Sequence, residues 1–234
     1  MIEFGHGTHI GLRRTRNEDT YYADVALGLF LVADGIGGHR HGEVAAAMVR
    51  DAVVDMVSRG HVLSDAVRSA GAQLLDHAHG DKTDALPMGA TVAVLRLVEG
   101  GYEAAWVGDS RIYLWREGLR QISHDPSFVQ ELVASGQLDP GQADRRARCN
   151  VVTQALGITA IEQLHVGMAR GQLQQGMAFL LCSDGLTEEV DERRLAAIVG
   201  RQDMAAQECV DHLLLAALDG GGKDNVTAIL ARVR

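Results

Sequence analysis

The chain has 234 residues, of which 47% are hydrophobic and 23% charged, and a formal net charge of -9. That balance suits a globular protein with a sizeable core and argues against a nucleic-acid partner, whose phosphates an acidic surface repels. No stretch approaches the ~18 apolar residues of a membrane span and the start carries no apolar leader, while three widely spaced cysteines with no Cys-x-x-Cys suit a reducing compartment. The expectation is one cytoplasmic, monomeric domain over 1–234, without nucleic-acid or membrane partners.

In chain order, LGLFLVA (27–33) reads as a buried strand, too short and too continuously apolar for an amphipathic helix. It stops at Asp34, and a glycine-rich stretch leads into EVAAAMVRDAVVDMVSRG (43–60). There Ala45, Met48, Val49, Ala52, Val53 and Met56 fall on one helical stripe, and Glu43 suits the positive end of the helix. A second helix is predicted over 64–79 with Ser64 as its N-cap. Strands at 90–98 and 102–108 flank Glu99-Gly100-Gly101, and strands at 111–115 and 119–123 flank Arg116-Glu117-Gly118. Two hairpins in succession mean antiparallel pairing and exclude a doubly wound parallel sheet. A helix over 127–135, a polar arginine-rich segment over 137–150 and a buried strand over 178–183 follow. Helices over 191–199 and 203–218 and a strand over 225–233 close the chain. The class is α+β, a sheet core with helices packed outside.

Four aspartates fall at the ends of buried strands. Asp34 follows FLVA, Asp109 follows AAWVG, Asp184 follows LLCS and Asp224 precedes NVTAIL; Asp19 lies just before Tyr21 and Tyr22. Singly, Asp-Gly and Asp-Ser are ordinary turn formers. As a set they suggest more, because sheet ends converge in space. Two carboxylates 4 Å apart repel by ~1 kcal/mol in water and ~4 kcal/mol at an effective dielectric of 20, which calls for positive charge between them. Oxygen ligands alone suit Mg²⁺ or Mn²⁺ rather than zinc, whose motifs are absent. No Gly-Lys-Ser/Thr follows the glycines, so a phosphate-binding loop is not the reading. The residues read as a carboxylate-lined site for two or more divalent cations.

A chain-long series of blocks resembles the metal-dependent protein phosphatases of the PPM family (type 2C). GLRRTRNED (11–19) resembles its G-x-x-R-x-x-NED opening, and LVADGIGGHRHGEVAA (31–46) its bacterial ADGMGGH segment. MGATVAV (88–94), WVGDSRIYLWREGLRQISHDPSFVQELVASGQL (106–138), NVVTQALG (150–157), FLLCSDGLTEEV (179–190) and GGKDNVTAILARV (221–233) follow in the family's order. The resemblance implies a four-layer α-β-β-α fold, two antiparallel sheets with helices on both outer faces. It also implies a phosphatase that hydrolyses phosphoserine and phosphothreonine on proteins through a hydroxide bridging two Mn²⁺ or Mg²⁺ ions, opposing a bacterial Ser/Thr kinase. Carried over, Asp34 bridges the two cations, the Gly35 carbonyl adds a ligand, and Asp184 and Asp224 supply the other direct carboxylates. Glu18 and Asp19 act through water, and Asp109 with Asp184 matches a third cation site. Arg14 matches the residue that grips the phosphate, Asn225 supports Asp224 or the phosphate, and His39 is a candidate acid for the leaving group.

Some positions depart from the family pattern. Ile36 stands where eukaryotic members place a histidine, Ala90 replaces a threonine, Pro126 a histidine and Gln154 an arginine. Two other readings compete. Ser110 in Gly-Asp-Ser could serve an esterase, although that family places the motif near its start. A catalytically dead, phosphoprotein-binding relative is the other, although no metal-position aspartate is lost.

Overall fold

The computed structural model describes residues 1–37, 41–80, 88–124 and 154–234. His39, Pro126, Cys149, the helix expected over 127–135 and the segment 137–150 lie outside them.

The described strands form two antiparallel five-stranded sheets. The first has the order β1-β10-β9-β6-β7, built from β1 (Ile2–His9), β6 (Arg111–Trp115), β7 (Leu119–Gln121), β9 (Ala178–Cys182) and β10 (Val226–Val233). The second has the order β2-β3-β4-β5-β8, built from β2 (Asp19–Asp24), β3 (Leu29–Ile36), β4 (Gly89–Val98), β5 (Gly101–Val107) and β8 (Gly167–Gln172). Helices α1 (His41–Ser58) and α2 (Leu63–Gly80) pack on the second sheet. The short α3 (Asp184–Thr187), α4 (Glu192–Val199) and α5 (Ala206–Gly220) pack on the first.

Strand alternation explains the layering. Along β3, Leu29, Leu31 and Ala33 pack under α1 and α2, while Phe30 and Val32 face the other sheet. Along β10, Val226, Ala228 and Leu230 meet the late helices, while Ile229 and Ala231 face inward. The central strands are apolar on both faces, so they read as continuous hydrophobic runs. The expected four-layer α-β-β-α fold is the one found.

Three strands escape the sequence reading. β1, β2 and β8 are edge strands, and their half-buried patterns carry glycine, histidine and charge. The capping role expected of Ser64 is not found: α2 begins at Leu63, so Ser64 lies inside the first turn, and its hydroxyl reaches Asp65 Oδ1 at 3.5 Å. Asp184 does not simply end a strand, because it opens α3 directly after β9. Among the described residues no helix is long and apolar enough to cross a membrane.

Candidate active site

At one end of the sandwich the inward-facing rows turn from apolar to polar. After Phe30 and Val32 the same row of β3 reaches Asp34, and after Phe179 and Leu181 that of β9 reaches Ser183. β10 offers Thr227 before Ile229, and β4 offers Thr91 before Ala93. Pairing register sets Asp34 opposite Asp19 on one side and Thr91 on the other. The polar end opens into a cleft of about 250 Å³ whose lining includes Arg14, Glu18, Asp34, Gly35, Asp109 and Asp184, together with Asp224, Asn225 and Thr91.

Asp19 does not line this cleft. It is buried behind Asp34, where its Oδ2 accepts hydrogen bonds from Ser183 Oγ at 2.8 Å and Thr227 Oγ1 at 2.7 Å. Thr227 spends its hydroxyl proton on Asp19. Its 2.7 Å contact with Thr8 therefore has Thr8 as donor, and Thr8 in turn accepts from Asn17 Nδ2 at 2.8 Å. Asp19 Oδ1 and Asp184 Oδ1 are buried and have no hydrogen-bond donor. Two orphaned carboxylate oxygens at one site are costly unless a cation meets them.

The electrostatics point the same way. Burial, then repulsion from Asp19, Asp184, Asp109 and Asp224, pushes the Asp34 carboxyl well above the usual carboxylate range. Burial, with repulsion led by Asp109, lifts Asp184 to about 7. Burial lifts Asp19 to about 6 against the hydrogen bonds from Thr227 and Ser183. Glu18 also rises, chiefly through burial. No three acidic, histidine or cysteine side chains form a tight preformed cage among the described residues. The carboxylates stand as separate walls, the arrangement their repulsion favours. A donor set of oxygens, among which Glu18, Asp19, Asp34 and Asp184 are disfavoured as bare anions, fits hard divalent cations.

Arg14 enters the cleft. Its Nη2 donates to Asp224 Oδ2 at 2.5 Å, and Asp224, Glu18 and Asp34 hold its guanidinium charged. Of the two roles expected of Asn225, a contact with Asp224 is the one the structure shows. Its Nδ2 donates to Ile10 O at 2.9 Å and Arg16 O at 2.8 Å, while its Oδ1 accepts from Glu18 N at 2.8 Å. Both ends of the loop carrying Arg14 are thus tied to the residue after Asp224, whose Oδ1 accepts the Asn225 backbone N–H. Leu12 N adds a bond to Gly222 O at 2.7 Å.

Two glycines are demanded by close approach. A Cβ on Gly35 would lie 2.0 Å from Gly42 O, and one on Gly185 would lie 2.0 Å from Asn225 O. Gly108, at φ 92°, turns β5 into the Asp109 corner, and a Cβ there would strike Thr91. The Thr91 hydroxyl is 2.7 Å from Ser110 Oγ, so the corner that presents Asp109 is fastened to β4. Thr91, Ser183 and Thr227 were not singled out from sequence as site residues. Their signal was there, as a polar residue at the last inward place of each buried strand.

Comparison with known proteins agrees with this geometry. Residues 7–219 match the family model described as Protein phosphatase 2C. The chain is 34% identical over 239 residues to the serine/threonine protein phosphatase PstP of Mycobacterium tuberculosis; all of this chain aligns, but it spans only 45% of PstP. It is 33% identical over 234 residues to the protein phosphatase PhpP of Streptococcus pneumoniae, covering 95% of this chain and 94% of PhpP. The solved PstP catalytic domain in complex with two manganese ions superposes with a TM-score of 0.83 at 30% identity, covering 100% of this chain and 99% of that one. The chain belongs to the protein phosphatase 2C family of metal-dependent serine/threonine protein phosphatases.

Proposed function

We propose that residues 1–234 act as one unit that hydrolyses phosphoserine and phosphothreonine esters on proteins with Mn²⁺ or Mg²⁺. The observation that carries this reading is the cleft itself, where one arginine and five acidic side chains surround the polar end of the sandwich. In it Asp34, Asp184, Asp224 and the Gly35 carbonyl would hold two cations, with Glu18 acting through water and Asp19 doing so from behind Asp34. Asp109 with Asp184 would serve a third. Bound cations supply Lewis-acid charge for the phosphoryl oxygens and a water acidic enough to ionise near neutral pH.

The chain's own residues do the rest. Arg14 uses one Nη2 hydrogen bond on Asp224, which leaves the remainder of its planar fork for phosphate oxygens. Asn225 holds that arginine over the carboxylate floor. Ser183 and Thr227 fix Asp19 behind Asp34, so the floor cannot collapse inward when it is loaded. No protein nucleophile is needed, and Ser110 is committed to Thr91 rather than exposed as an esterase serine. His39 remains a proposal as the leaving-group acid.

The unit would work in the cytoplasm as a monomer on phosphorylated proteins, opposing a Ser/Thr kinase, with neither nucleic acid nor membrane as partner. Cys182 and Cys209 are buried as thiols, which accords with that compartment. The test is p-nitrophenyl phosphate hydrolysis with Mn²⁺, with EDTA, and with the Asp34→Asn variant. Turnover that survives both EDTA and the substitution would sink the reading.

A further inference from the structure

Arg14 is not alone on its loop. Leu12 to Arg16 are all exposed, and the stretch carries Arg13 and Arg16 beside Arg14 on a chain whose net charge is -9. Elsewhere on the surface, basic side chains commonly meet acids: Arg59 meets Asp55, Arg170 meets Glu103, Arg201 meets Asp203 and Arg234 meets Glu3. Among the described residues neither Arg13 nor Arg16 has a side-chain hydrogen bond or ion pair. The charge of Arg16 nonetheless reaches Glu18, a cleft-lining residue. Exposed acids on the rim come from other elements, Glu43 from the start of α1 and Glu188 from the end of α3.

The loop is also held in shape. Asn225 Nδ2 ties Ile10 O and Arg16 O together, Leu12 N is bonded to Gly222 O, and a Cβ on Gly11 would strike Asp224 O at 2.2 Å. A fixed backbone that presents unpartnered guanidiniums loses little conformational freedom when an anion arrives.

We infer that Arg13 and Arg16 form a docking edge for acidic residues flanking the phosphorylated serine or threonine, so that the cleft prefers phosphoproteins with acidic sequence around the site. This rests on the phosphatase reading and adds a substrate class to it. Arg14 takes the phosphate, while Arg13 and Arg16 read what lies beside it. Exposed ion pairs contribute up to roughly fivefold each, so two such contacts give a preference of about 3- to 20-fold, strongest at low salt.

The experiment compares matched phosphothreonine peptides whose flanks are acidic, neutral or basic. It uses the Mn²⁺-loaded wild type, Arg13→Gln/Arg16→Gln and Arg16→Glu, with p-nitrophenyl phosphate as a flank-free reference. The expected result is a kcat/KM ratio of acidic to neutral peptide of about 3 to 20 in wild type, shrinking toward unity in high salt and in the double variant. Arg16→Glu should favour the basic peptide, and all three proteins should hydrolyse p-nitrophenyl phosphate alike. A wild-type ratio at or below unity overturns the inference, and so does a ratio that neither the substitutions nor salt reduces. Binding of phosphonate versions of the same peptides, followed by fluorescence anisotropy, reads the flank preference without turnover. A dead enzyme with an intact preference would therefore count against the phosphatase reading, and an active one without preference against this edge.

Discussion

Asp34 stands directly opposite Asp19 across two strands, with Asp109, Asp184 and Asp224 near enough to raise its pKa. Removing its charge should separate function from stability. Asp34→Asn is expected to lower turnover at least 100-fold, yet in EDTA to melt about 2–4 °C higher, as relief of roughly 1 kcal/mol of repulsion would give. Differential scanning calorimetry beside an activity assay checks this, and an active variant or a destabilised one contradicts the assignment. Arg14→Ala should act mainly on KM for phosphosubstrates. Loss of a charge-assisted bond of about 1.5–3 kcal/mol corresponds to roughly a 10- to 100-fold rise, and an unaltered KM removes Arg14 from the phosphate. Asn225 shows how a residue in a recognised block can have its work decided by contact. Its place beside Asp224 was plain in the sequence, whereas its three-way hold on the loop depends on Ile10, Arg16 and Glu18 coming from the far end of the chain.

Strands and the turns after them do the positioning. A buried strand in this sandwich has two apolar faces, and where its inward row ends the next inward residue is polar: Asp34, Thr91, Ser183. The turn that follows must then pass close to another backbone. Gly185 is the sharpest instance, since α3 begins against the Asn225 carbonyl. Gly185→Ala forces α3 and the start of β10 apart, and the expected cost is about 1–3 kcal/mol together with loss of activity, because Asp184 and Asp224 flank that contact. Chemical denaturation and phosphatase assays on the variant measure both, and a variant that melts and turns over like wild type would show that the contact is slack. The aspartates at strand ends were legible because apolar runs stop sharply at them. The edge strands β1, β2 and β8 were not, because exposure on one side dilutes the hydrophobic pattern.

For the whole molecule, the carboxylate end is a stability liability that a cation relieves. Asp19, Asp34 and Asp184 have native pKa values above the 3.8 of the unfolded chain, so the native state binds protons more tightly. Their contribution in the cation-free protein is therefore present below about pH 4 and is lost as pH rises through 6 to 7. In EDTA the melting temperature should fall between pH 5 and pH 8 from these groups. With Mn²⁺ the trend reverses, because binding needs the deprotonated carboxylates, and 100-fold excess over Kd adds ~2.7 kcal/mol. Melting curves with and without Mn²⁺ at pH 5.5 and pH 8 check the crossing; a Mn²⁺ shift that is absent or larger at the lower pH contradicts a carboxylate-held cation.

The sequence by itself determined the two hairpins, the antiparallel class, the placing of acids at strand ends and the family, since all of these are written in local pattern and ordered blocks. Only the tertiary structure decided which acids share a cleft and which is buried behind it, what Asn225 holds, and that Thr227 and Ser183 reach Asp19 across the sandwich. Those are contacts between residues such as Asp19 and Thr227, 208 positions apart, set by strand register and by the packing of one sheet on the other. A one-residue slip in that register would have turned each inward acid outward.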